Sequence, residues 1–376
     1  MGAFFALEAT RDLWAPPPDI VVVEAAAARC ECPEPPPPAA CEVEPGVTIE
    51  LVPEPPPLPA STGARPVLDG RVILHTDADA SWGQGALVVD PDAATFAVSK
   101  AAALEAIPAE QRAALGRPVI LYGPEGQVCS GAVSGLRVTA RAAGDLIFMA
   151  EELDEDDANL DPEAADDAAF AEPVYGSGPW LLEAEVSAAD SCRGALWAHF
   201  ADERAPVVFP RGAAQDEVDR QALARAWEQV EATNVYRSVR AEYRDFRSAL
   251  EGDEADALEV PAWREYVAAN RTLEVFRDAE GRPRYISAVL GSPDEFGCGD
   301  FDLTVTAFLE VDGDAVRVLS TRLGHTPLAV FDGDGDGAIE LITGPAVSLH
   351  RGHYRWSGER FTLLEDLTVP FQGCPC

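Results

Sequence analysis

Apolar residues along this chain come mostly in short blocks rather than in long helical stripes. Arg71-Val72-Ile73-Leu74, Ala86-Leu87-Val88-Val89 and Val119-Ile120-Leu121-Tyr122 are compact runs with branched side chains, which predicts buried strands. Gly123-Pro124-Glu125-Gly126 then turns the chain into Gln127-Val128-Cys129. Leu136-Arg137-Val138-Thr139-Ala140 alternates apolar and polar, as a half-buried strand does. Ala101 to Leu115 is alanine-rich with Pro108 inside it, which predicts one or two helical turns. After the turn signal Gly176-Ser177-Gly178-Pro179, Trp180-Leu181-Leu182 and Ala195-Leu196-Trp197 resume the core-like pattern.

The period changes at Asp216. From there to Leu250 apolar residues including Val218, Leu223, Trp227, Val230, Tyr236, Val239 and Tyr243 recur mostly every three or four positions, the spacing of one helix face. Asp216, Glu217 and Asp219 open the segment and Arg237, Arg240, Arg244 and Arg247 crowd its later half, a polarity that suits the helix dipole. Gly252 stands where a C-terminal cap belongs. Thr233-Asn234, in the one wide gap, predicts a break into two helices. The arginines read as a solvated face among acidic neighbours. Pro261 opens a shorter helix carrying Trp263, Tyr266 and Val267. Beyond Thr272 the pattern returns to hairpins. Leu273–Phe276 faces Arg284–Ile286 across Glu280-Gly281, and His353–Trp356 faces Arg360–Leu363 across Ser357-Gly358. Leu303–Val311 faces Val316–Leu319 across Asp312-Gly313, a dipeptide suited to a type I′ turn.

These elements predict an α+β fold, mainly β, with hairpin-rich sheets arranged as a sandwich or a partial propeller and a helical segment between them. Four regions follow. Residues 1–66 are a disordered, proline-rich linker or stalk, with Pro16-Pro17-Pro18, Pro35 to Pro38 and Pro55-Pro56-Pro57 favouring polyproline II. Residues 67–210 form a β-rich domain, 211–270 the helical segment and 271–376 a β-hairpin domain. The stretch 151–172 interrupts the first domain with acids and no base, and reads as a solvated loop.

Charge narrows the function. With 28 Lys+Arg against 65 Asp+Glu the formal net charge is −37, which argues against nucleic acid as a partner, because phosphate binding needs cationic neutralisation. No apolar run approaches the roughly 18 residues of a membrane span. The chain has 8 cysteines. Disulfides are their expected use, with Cys129 paired to Cys192 and Cys298 to Cys374 or Cys376. Cysteine number, acidity and a calcium loop together predict an extracytoplasmic location: periplasmic, cell-surface or secreted. Gly2 to Leu7 reads as the tail of an apolar anchor that begins upstream, which would attach the protein to a membrane.

One motif carries specific chemistry: Asp332-Gly333-Asp334-Gly335-Asp336-Gly337-Ala338-Ile339-Glu340. Calcium takes six to eight oxygens at about 2.3–2.6 Å, and carboxylates at alternate positions converge when the chain bends around the ion. Gly337 permits that bend. The expected ligands are Asp332, Asp334, Asp336, the Ala338 carbonyl and Glu340. An EF-hand is excluded, since its twelfth position would be Thr343 and both flanks, Leu328–Phe331 and Ile339–Ile342, read as strands. A D-x-D-x-D-G-x-x-[DE] loop between strands resembles the calcium loops of FG-GAP and VCBS-type repeats, over about Pro327 to Thr343. That resemblance implies a calcium ion held by these residues, in a family of extracellular adhesion and lectin-like β-propellers. The loop occurs once, whereas a propeller needs several copies, so only the ion site carries over. Its expected role is stabilisation rather than chemistry.

Other constellations are weaker. His350-Arg351-Gly352-His353 has H-x-x-H spacing, but residues three apart on a strand point to opposite faces. His75, His199 and His325 show no partner in sequence. Neither a nucleophile elbow, a Walker loop nor a dinucleotide fingerprint is present. The reading is a non-enzymatic calcium-binding structural or interaction protein with a protein or glycan ligand. Its rivals are a hydrolase with a cleft site invisible in sequence and a cytosolic acidic scaffold.

Overall fold

The branched apolar blocks of the first half form strands, and the strands close on one another. The computed structural model describes residues 63–90, 96–144, 167–187, 192–250, 261–291, 304–321, 323, 326–344, 351–367, 369 and 371–372. All of them lie in the unit Ser61–Cys376. Strands β1 (Ala64–Leu68), β2 (Arg71–Ala78), β3 (Gly83–Asp90), β4 (Phe96–Ala102), β5 (Pro118–Gly123), β6 (Gly126–Gly144), β7 (Trp180–Val186) and β8 (Trp197–Phe200) share one sheet. The order β3-β4-β6-β5-β8-β1-β2-β7 returns through β7 to β6, so β6, β5, β8, β1, β2 and β7 close a six-strand barrel. The long β6 allows this: its first part pairs β5, its middle pairs β7 and its far end pairs β4.

Alternation then sorts the barrel's side chains. Val67, Val72, Leu121, Val138, Leu182 and Phe200 belong to one buried cluster. Cys129 and Cys192 form a disulfide with Cα atoms 5.3 Å apart, as the cysteine reading anticipated. The other cysteines lie outside the described residues.

Within the described residues the second half is built from two further sheets. After β9 (Val207–Phe209) and β10 (Arg211–Gly212), β11 (Arg271–Arg277), β12 (Pro283–Leu290), β13 (Val305–Asp312) and β14 (Ala315–Ser320) make an antiparallel sheet in the order β10-β11-β12-β13-β14. Next, β15 (Thr326–Asp332), β16 (Glu340–Gly344), β17 (Gly352–Trp356) and β18 (Phe361–Asp366) make another, ordered β18-β17-β16-β15-β9. Finally β19 (Phe371–Gln372) pairs in parallel with the end of β6. Strands β9 and β19 therefore tie segments distant in sequence.

Helices α1 (Ala109–Arg112), α2 (Asp167–Ser177), α3 (Glu217–Glu231), α4 (Asn234–Leu250) and α5 (Trp263–Asn270) fill the remainder. The expected break at Thr233-Asn234 separates α3 from α4, and the Thr233 hydroxyl accepts from the Tyr236 amide at 3.2 Å. Trp227, Val230, Tyr236 and Tyr243 pack on Ile286, Leu290, Val305 and Leu309 of β12 and β13. The supposed acidic loop needs a correction at its end. Residues 151–166 lie outside the described residues, but Asp167 to Glu172 begin α2. That helix places Ala171, Val174 and Tyr175 against Val98, Ala140 and Ala142, and this burial outweighs the local acidity. Gly252 and its expected cap also lie outside the described residues.

Two turns are informative. The β1–β2 hairpin turns on Asp69-Gly70, with φ of 48° and 77°, as a type I′ turn requires. At Asp312-Gly313 the expectation was off by one residue. Asp312 pairs with Ala315, so the loop is Gly313-Asp314, and only Gly313 has positive φ, at 57°. That pattern fits type II′ rather than I′.

The β15–β18 sheet presents apolar side chains on both faces. Val330, Ile339 and Leu341 cluster with Phe276, Tyr285 and Phe308 of β11–β13. Ala329, Phe331 and Ile342 cluster with Ala64, Leu196 and Trp197 at the barrel. Trp197 anchors that second contact, stacking on Phe331 at 3.9 Å and on Tyr122 at 4.2 Å between ring centroids.

Candidate metal centre

The Asp/Gly loop is a connection between two paired strands, as its flanks predicted. Pairing runs as far as Phe331 opposite Glu340, and the chain must then reverse. Asp332 ends β15, is buried and organises the reversal. Its Oδ1 accepts from the amides of Gly335 at 2.7 Å and Asp336 at 3.1 Å, and its Oδ2 accepts from Gly337 at 2.8 Å. Asp334 Oδ1 accepts from the Asp336 amide at 3.0 Å, and Asp336 Oδ1 from the Ala338 amide at 2.8 Å. Gly335 and Gly337 adopt φ of 70° and 93°, a region glycine enters without steric cost.

The result is convergence. Asp332, Asp334 and Asp336 each bring one carboxylate oxygen within 4.8 Å of the others. Hard oxygens so grouped suit a hard divalent cation. Like charges at this range also repel, and the protein supplies a counter-charge. Arg355 of β17, only 4% exposed, bonds Asp336 through Nη2 and places Nη1 3.5 Å from Asp334 Oδ2. The Arg204 guanidinium lies over Gly335, where an added Cβ would come within 2.7 Å of Cζ.

Glu340 stands apart from this cluster. Pairing sets it beside Phe331 of β15 and Arg355 of β17, and it is not one of the three converging carboxylates. Its side chain is fully buried, with Oε2 2.9 Å from His353 Nε2, while Glu365 lies 3.6 Å from Nδ1 of the same ring. Burial by itself would lower the His353 pKa, but the bonds to Glu340 and Glu365 outweigh it and raise it. Thus His353 of the H-x-x-H spacing serves two carboxylates, and His350 lies outside the described residues. Ala338 follows the acidic triplet, with its amide already given to Asp336.

A cavity of about 260 Å³ opens beside the loop, lined by Gly63, His199, Glu203, Arg204, Gly333 and Asp334. His199 is buried, and burial lowers its pKa. Neither His199 nor Glu203 carried a signal in sequence, since each is a single residue in an otherwise ordinary segment. Among the other histidines, His75 stacks on Trp82 at 5.8 Å, and His325 lies outside the described residues.

Comparison of the chain with protein-family models, with curated proteins and with solved structures finds no match.

Proposed function

We propose that the Asp332–Glu340 loop is a structural calcium site, in an extracytoplasmic protein whose task is binding or mechanical support rather than catalysis. The observation that carries this reading is the convergence of Asp332, Asp334 and Asp336 within 4.8 Å, on a turn held by backbone amides. These three and the Ala338 carbonyl are the ligands we assign. Glu340, which the FG-GAP/VCBS resemblance also implies, is engaged by His353, so water completes the shell. Arg355 balances the acids of the loop through its contacts with Asp334 and Asp336.

The location reading rests on the Cys129–Cys192 bond, which oxidising compartments favour. Among the described residues no helix is long and apolar enough to cross a membrane. Attachment is assigned to the segment around Gly2 to Leu7, with a proline-rich stalk that ends before β1 begins at Ala64, so the expected stalk boundary at residue 66 is too late. The apolar cluster shared by the β11–β13 and β15–β18 sheets supports a sandwich over a propeller, with an unidentified protein or glycan as ligand.

Thermal unfolding with calcium, with excess chelator, and in an Asp336→Asn variant tests the site. Calcium at a hundredfold excess over Kd is expected to add about 2.7 kcal/mol to wild-type stability. The variant is expected to melt identically with and without the ion. A wild-type melt that ignores calcium overturns the reading.

A further inference from the structure

Two side chains beside the loop each hold a buried acceptor that no donor reaches. His199 belongs to β8 and is 2% exposed. Burial lowers its pKa, so the ring is uncharged at neutral pH and carries one proton. The ring is hydrogen-bonded to the backbone of Arg204, while Nε2 is buried and has no hydrogen-bond partner among the described residues. With the proton on Nδ1, Nε2 keeps a lone pair. Glu203 sits in the turn after β8, its amide donating to the Phe200 carbonyl at 3.0 Å. Arg117 donates to Glu203 Oε1 at 2.9 Å and so orients the carboxylate. The other oxygen, Oε2, is buried and also without a hydrogen-bond partner among the described residues.

Both residues line the cavity of about 260 Å³, as do Gly63 and Arg204. Gly63 marks where the two acceptors come together. A Cβ there would lie 3.3 Å from Glu203 Oε2 and 3.7 Å from His199 Cδ2, the ring carbon bonded to Nε2. The Nε2 edge of the imidazole and the open carboxylate oxygen therefore border the same space.

The acids here already have counter-charges. Arg117 holds Glu203 Oε1, and Arg355 Nη1 lies 3.5 Å from Asp334 Oδ2. The space therefore lacks hydrogen-bond donors rather than a further charge. A hydroxyl donates one proton, so one alcohol serves one of the two acceptors. Two hydroxyls on neighbouring carbons serve both, and their oxygens can accept from the Arg204 guanidinium. A carboxylate acceptor makes such bonds stronger than neutral ones. At about 260 Å³ the cavity falls below the roughly 300–1,000 Å³ of drug-sized ligand pockets, so it suits one ring rather than a chain. We propose that this cavity is a saccharide subsite. A vicinal diol of one neutral sugar unit donates to His199 Nε2 and Glu203 Oε2 and accepts from Arg204. The proposal rests on the reading of the protein as a binder with a glycan ligand, and names where that glycan is held. It does not need the loop ion, because none of its three contacts comes from the loop.

The test is a magnetic-resonance titration of the full chain, carrying isotope-labelled histidine, with the methyl glycosides of glucose, mannose and galactose. Two signals are followed: the His199 ring nitrogens, and saturation passed from protein to sugar protons. At least one sugar is expected to shift Nε2 saturably at millimolar concentration. Hydroxymethyl-tetrahydropyran, the same ring with one hydroxyl, is expected to leave it in place. Glu203→Gln is expected to weaken sugar binding at least about tenfold, since it removes a charge-assisted hydrogen bond. Should that variant fail to fold by circular dichroism, Arg204→Ala, at an exposed position, decides in its place. A Nε2 signal that no sugar moves, meaning that water alone fills the cavity, overturns the proposal. So does an equal response to the mono-alcohol, or binding that the variant leaves unchanged. Saturation reaching a sugar while His199 stays fixed rejects this subsite and spares the glycan reading; neither signal rejects both. A sugar-induced shift in a chain whose melt ignores calcium removes the loop ion and supports the subsite.

Discussion

Glu340 shows how one residue's role depends on which way a strand faces. In sequence it closes an acidic motif; in the fold it is fully buried and bonded to His353. Glu340→Ala is expected to cost about 3–5 kcal/mol in chemical denaturation, because it strips a partner from a buried pair. Glu340→Gln is expected to keep the calcium-dependent rise in melting temperature, since the residue is not an assigned ligand. The glycines of the loop make a second prediction. Gly335 and Gly337 both hold left-handed backbone, so alanine at either costs about 1–2 kcal/mol. The two differ in surroundings: a Cβ at 337 meets nothing, whereas one at 335 must displace the exposed Arg204. The motif's three aspartates were legible because their convergence is local, set by turn residues a few positions apart. His199 and Glu203 were not, because the cavity they line is also formed by Gly63 and Gly333.

Among elements, α3 is tied to a sheet by a nearly buried ion pair. Asp219 accepts from Arg277 of β11 at 3.0 and 2.7 Å and from the Gln215 amide at 2.6 Å. The bond to Arg277 holds the Asp219 carboxyl below the usual aspartate value, against the opposing effect of burial. Because the folded value is depressed, this group's contribution is complete above the ordinary pKa of about 3.9 and is lost as pH falls through the folded one. Asp219→Ala is therefore expected to destabilise by about 3–5 kcal/mol at pH 7, by leaving Arg277 without its main partner. The same substitution should flatten the acid limb of the stability–pH profile, measured by urea denaturation. The helix pair itself was legible: period, the acidic start at Asp216 and the break at Thr233 are all local signals. The helix at Asp167 was not, because it is held by packing on β4 and β6 rather than by its own composition.

At the scale of the whole molecule, two global terms should be visible. A net charge of −37 makes the folded state self-repelling, so the melting temperature is expected to rise with sodium chloride as screening increases. The Cys129–Cys192 bond spans 63 residues of chain, and its reduction is expected to cost about 4 kcal/mol by loosening constraints on the unfolded chain. A melt under reducing conditions checks this. Strand positions, the split helix, most turns and the aspartate loop could be read from the chain alone, because period, turn chemistry and spacing act over a few neighbours. Barrel closure through β6 and β7, the pairing of β9 with β15 and of β19 with β6, and the meeting of His199 with Glu203 were decided only in three dimensions. Which strand lies beside which is chosen by burial summed over the whole molecule, and no local pattern encodes that choice.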